Sequence, residues 1–66
     1  MIEELDLHGE KHADVDRLVE NFVLLNKPPM TIICGNSSIM VKLVIDVLER
    51  HDIYYERWNY GTIKVL

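Results

Sequence analysis

Residues 30–51, "MTIICGNSSIMVKLVIDVLERH", carry a strand, a loop and a helix in direct succession, and the fold turns on how they are read. "MTIIC" is short and rich in β-branched residues. With "NKPP" before it and Gly35 after it, it reads as a buried strand. "GNSS" follows as loop and cap, where the oxygen of Ser37 or Ser38 can accept the free N–H groups of a helix start. From Ser38 to His51, Met40, Leu43, Val44, Val47 and Leu48 recur in helical register, while Lys42, Asp46, Glu49 and Arg50 form a narrow polar stripe. Ile39, Val41 and Ile45 widen the apolar surface, and their branched side chains are mediocre helix formers. Helix is still the assignment, because a strand would scatter the polar residues over both faces.

Upstream, "IEELDL" alternates Leu5 and Leu7 with Glu4 and Asp6, the period of a half-buried strand. "HGE" breaks it. Val15, Leu18, Val19, Phe22 and Leu25 then recur at helical spacing from about Ala13 to Asn26, opposite Asp14, Asp16, Arg17, Glu20 and Asn21. Asp14 and Asp16 are expected in the first turn, where carboxylates complement the positive amino end. The prolines end the helix. Downstream, "IYYERW", "NYG" and "TIKVL" read as a hairpin.

The element order is thus βαβαββ. Two right-handed crossovers moving the same way across the sheet put both helices on one face. The last strand runs antiparallel to its hairpin partner, and "TIKVL" is apolar enough for an inner position. The expected architecture is α/β, a two-layer sandwich with one sheet face covered and the other open. If Leu5, Leu7, Ile63 and Val65 face the helices, the open face bears Glu4, Asp6, Thr62 and Lys64.

Sixty-six residues, 48% of them hydrophobic with three glycines and two prolines, predict one folded domain over residues 1–66 and exclude a disordered or collagenous chain. No apolar run approaches the ~18–20 residues of a membrane span, and "MIEEL" lacks a signal peptide's basic start. A cytoplasmic protein is expected. The lone Cys34 cannot form an internal disulfide, and the Cys/His spacing gives no structural zinc site. A net charge of −4 offers no global attraction for phosphate, so nucleic-acid contact requires a local cluster.

"LDLHG" (5–9), the strand, loop and helix of residues 31–53, and the closing "YGTIKVL" (60–66) together resemble the small MutS-related (Smr) domain over nearly the whole chain. That resemblance implies sheet order 1-2-4-3 with the fourth strand antiparallel. It also implies nucleic-acid binding, and in several members DNA nicking or RNA cleavage. Asp6 and His8 match the family's first motif, and Gly35 the first glycine of its second. The family's loop reads "HGxG" or "TGxG"; here Cys34 and Ser37 stand at the outer positions. That departure bears on cleavage more than on fold.

The first two strands, being parallel, end at one edge, so "HG" and "GNSS" should be neighbours. A phosphodiester could rest on the amides of Gly35, Asn36, Ser37 and Ser38 at the positive end of the second helix, with Lys42 nearby. His8 could exchange protons with a reacting oxygen while Asp6 orients it or holds a divalent cation such as magnesium. The structural alternative is that Asp6 and His8 cap the first helix or fix the turn. Cys34 is either a thiol activated by the helix terminus or a small buried apolar residue. Gly9 argues against a two-histidine metal site of His8 and His12, and His51 at a helix end reads as surface. Tyr54, Tyr55, Trp58 and Tyr60, with Arg57 and Lys64, could stack bases; the alternative is that one parity of these aromatics is core.

Two functions follow from this reading. One is a minimal Smr-like domain that binds RNA or DNA and cleaves phosphodiester bonds as an endonuclease. The other is a non-catalytic module in which the acidic sheet face or the over-apolar second helix binds a protein partner or a second copy as a homodimer.

Overall fold

The computed structural model describes residues 3–66, so Ile2, expected to open the first strand, lies outside the described residues. The elements are β1 (Glu3–Asp6), α1 (His12–Leu25), β2 (Met30–Ile33), α2 (Ser38–Arg50), β3 (Tyr55–Asn59) and β4 (Thr62–Val65). The expected order is therefore present, with ends displaced by one or two residues. The largest displacement has a visible cause. Ile53 does not start β3 because its N–H donates to the Leu48 carbonyl at 2.9 Å, closing the end of α2.

The sheet runs β1-β2-β4-β3, with β1 and β2 parallel and the other pairs antiparallel. The pairings put Leu5, Ile32 and Ile63 in one row and Met30, Val65 and Tyr55 in another. Met30, Ile32, Ile63 and Val65 are buried on the helix side together with Leu7. The alternate rows, Glu4 with Thr31, Lys64 and Glu56, and Asp6 with Ile33 and Thr62, occupy the open face. β4 takes the inner place because Ile63 and Val65 can each bury their whole side chain there, worth about 2 kcal/mol apiece.

Val15, Val19 and Val23 of α1 meet Met40, Val41, Val44, Val47 and Leu48 of α2 in a single buried cluster above the sheet. Two details differ from the sequence reading. Leu25, placed there on the apolar face, is 81% exposed; it is the last residue of α1, where the chain turns away toward Pro28 and Pro29, and Val23 is buried instead. Asp16 is not in the first turn, because α1 starts at His12 and only Asp14 lies there. The Asp16 carboxylate instead accepts a bond of 2.5 Å from Arg50 of α2, and Glu20 faces His51 at 3.0 Å. Among the described residues, no helix is long and apolar enough to cross a membrane.

Candidate nucleic-acid interface

β1 and β2 end together, and the Leu7 amide continues their pairing to the Ile33 carbonyl at 2.9 Å. β3 runs parallel to β2, because each is antiparallel to β4. The β3–β4 turn therefore lies at the same edge as the loops that lead into α1 and α2. One edge of the molecule thus collects His8, Lys11 and His12, the Gly35–Ser38 loop, and the Tyr60–Gly61 turn. Both helices direct their amino ends, with their partial positive charge, toward it.

Asp6 and His8 are both exposed there. The Asp6 carboxylate accepts the backbone N–H of His8 at 2.9 Å, an Asx turn that reverses the chain before Gly9, whose φ is +83°. Of the two structural alternatives, fixing the turn is the one observed; the N-cap of α1 is Lys11, with no side-chain cap. The contact is to the His8 backbone and does not orient its imidazole. Gly9 separates His8 from the helix that begins at His12. Among the described residues, no group of three His, Cys, Asp or Glu side chains could hold a metal ion.

The second loop is built more tightly. Gly35 has φ +72°, and Ser37 is the N-cap of α2, its hydroxyl accepting the Met40 N–H at 3.1 Å. The Cys34 amide donates to the Gly61 carbonyl at 2.6 Å. Gly61 itself has φ +90°, and a Cβ there would overlap the Gly35 carbonyl oxygen. The hairpin turn thus clamps the loop. Between them lies a cavity of about 30 Å³, walled by the loop together with Val41, Arg57, Tyr60 and Gly61. His8 is not one of its wall residues. Lys42 lies elsewhere too, lining a separate depression along α2 with Leu43, Ile45, Asp46 and Glu49.

The sequence set Arg57 and Tyr60 among hairpin residues that could stack bases, not beside the Gly35–Ser38 loop, and it did not single out Gly61. The signal for them was present in the inner placement of β4, which brings the hairpin turn beside the end of β2. Cys34 is buried, and burial pushes its thiol up to about 11 against the opposing pull of Arg57. It is the apolar packing residue of the two alternatives and not an activated thiol.

Among the hairpin aromatics, only Tyr55 packs against the core, with its hydroxyl donating to Glu49 at 2.9 Å. Trp58 is 56%, Tyr60 76% and Tyr54 82% exposed. The Lys64 ammonium sits 3.8 Å from the Trp58 ring centroid. No family model, curated protein or solved structure matches this chain.

Proposed function

We propose that this domain binds nucleic acid at the edge where its two helices begin, with one phosphate seated against the Gly35–Ser38 loop. The cavity between that loop and Arg57 is the observation that carries the reading: its wall joins Gly35–Ser38, at the amino end of α2, to a residue that bears a positive charge. Its size sets the mode. At about 30 Å³, it has room for a small polar group such as a phosphate oxygen and not for a whole nucleotide. Bases would remain outside, within reach of the exposed Tyr60 ring. Lys11, His8 and His12 add donors along the same edge, and the resemblance to Smr domains points the same way. With a net charge of −4, the overall field adds nothing to this local cluster.

Strand cleavage is the further step that the resemblance implies. It rests on His8 exchanging a proton with a phosphodiester oxygen outside the cavity, since His8 is not in its wall, while Asp6 fixes only the backbone turn.

The binding test is a salt titration with a single-stranded RNA and a DNA of the same sequence. Affinity should fall steeply with ionic strength. Asn36→Asp, which sets a negative charge beside the loop amides without touching the Ser37 cap, should weaken binding about tenfold. Absence of binding at low salt and ~100 μM protein, or a salt-independent affinity, overturns the reading. Cleavage is checked with and without magnesium beside His8→Ala; equal cutting by both proteins marks a contaminant.

A further inference from the structure

Among the described residues the outer edge of β3 is unpaired, and the ladder fixes which groups it presents. The Leu66 N–H donates to the Tyr54 carbonyl at 3.1 Å, so Tyr54 and Leu66 form a hydrogen-bonded pair. In an antiparallel ladder such pairs alternate with non-bonded ones. Glu56 and Lys64 are the next bonded pair, since Tyr55 pairs with Val65 and Arg57 with Ile63. The N–H and C=O groups of Tyr55 and Arg57 therefore point away from β4, ready for another strand.

Above this edge runs one flank of α2. Val41, Ile45 and Glu49 lie four residues apart and so share a helix face. The Tyr55–Glu49 bond and the cavity wall shared by Val41 and Arg57 place that face over β3. Ile45 is only half-buried there. Trp58, beside Lys64 of the open face, and Tyr54, just before β3, lie exposed two residues on either side of Glu56.

We propose that a second copy of this chain pairs with β3 along its own β3, antiparallel and about a two-fold axis at Glu56, giving a continuous eight-stranded sheet. Register selects this arrangement. Tyr55 opposite Arg57 of the other copy lets both residues exchange both backbone bonds, twice by symmetry. Shifting toward Tyr55 opposite Tyr55 would require the Ile53 N–H, which is already donated to Leu48. Shifting toward Arg57 opposite Arg57 runs into the irregularity between Arg57 and Asn59.

The side chains agree with the selected register. On the helix side, the Arg57 charge of one copy approaches the Tyr55 ring and Glu49 of the other, and the two Ile45 flanks meet. At the ends of the paired stretch, Trp58 of one copy comes toward Tyr54 of the other, and both are exposed in the single copy. One contact opposes association: Glu56 faces its own image, with Lys64 beside it on β4 as partial compensation. The other sheet edge is the poorer candidate, because β1 bears Glu3, Glu4 and Asp6 and would repel its copy. The proposal does not rest on the nucleic-acid reading, although both draw on the Arg57 side chain.

The unfavourable contact supplies the sharpest test. Sedimentation equilibrium from ~1 μM to ~1 mM should show a monomer–dimer equilibrium. Glu56→Gln should tighten it about fivefold and Tyr54→Ala weaken it about tenfold, since each change acts at symmetric contacts. Both residues are exposed, and retained amide protection at Ile32 verifies that each variant is folded. Hydrogen exchange should show the Tyr55 and Arg57 amides gaining protection with concentration in step with dimerisation. A monomer throughout the range overturns the proposal. So does a dimer whose Tyr55 and Arg57 amides exchange as in the monomer, or a Glu56→Gln variant that associates no more tightly.

Discussion

Asp52 follows α2 with φ +54°, a left-handed conformation that costs an L-residue about 1 kcal/mol. It is held there by paired bonds, Asp52 N–H to the Glu49 carbonyl and Ile53 N–H to the Leu48 carbonyl, the Schellman pattern in which glycine is the favoured occupant. Asp52→Gly should therefore raise stability by up to ~1 kcal/mol in urea unfolding. Gly61 is the opposite case. Its positive φ and its contact with the Gly35 carbonyl leave no room for a methyl group, so Gly61→Ala should cost about 3 kcal/mol or more and displace the loop. Cys34 carries a pH prediction. Its thiol is pushed up to about 11 from 9.0, so the unfolded chain ionises first and binds fewer protons between those values. Stability supported by the neutral thiol is complete below about pH 9 and declines toward pH 11, by roughly 2–3 kcal/mol at most. Urea titrations of the wild type and Cys34→Ala should diverge in slope only above pH 9. At this scale the sequence disclosed the Ser37 cap and the Asp6 turn, because both are local bonds spanning two or three residues. The place of Arg57 in the cavity wall stayed hidden because it depends on a strand pairing and not on its neighbours in the chain.

The helices show where periodicity informs and where it stops. The spacing of Val15, Val19, Met40, Val44, Val47 and Leu48 located the core face of each helix, and all six are buried. Leu25 obeyed the same spacing and is exposed, because periodicity says which side of a helix is apolar and not how far the opposing layer extends. The energetic consequence is direct: Leu25→Ser should change stability by less than about 0.5 kcal/mol, and Val23→Ala should cost about 2 kcal/mol, compared by thermal unfolding. The polar bonds between the helices contribute less than their geometry invites. Arg50 contacts both Asp16 and Asp46, yet all three side chains are largely exposed. Asp16→Asn should cost no more than about 0.5 kcal/mol at ordinary salt. The hairpin was found by its turn residues, while the outward position of three of its four aromatics was not, since a short edge strand offers no layer for both parities to pack against.

Across the whole molecule, handedness and the apolar character of "TIKVL" were enough to order the four strands, because so few topologies satisfy both crossovers. The candidate interface was half visible: the loops after β1 and β2 were paired by parallelism, and the hairpin turn that completes the cavity required the sheet order as well. Amide exchange should reproduce this architecture, with Ile32 and Ile63 in the two inner strands opening only on global unfolding and β1 exchanging earlier. The inner seat of β4 governs how the chain can be assembled. Although it is the segment of the sheet translated last, it is the keystone: without it β2 and β3 would lie about 10 Å apart, too far for any backbone bond. Nascent chains lacking residues beyond Gly61 should give no cooperative melting in circular dichroism, and the sheet should close in one step once Thr62 to Val65 arrive.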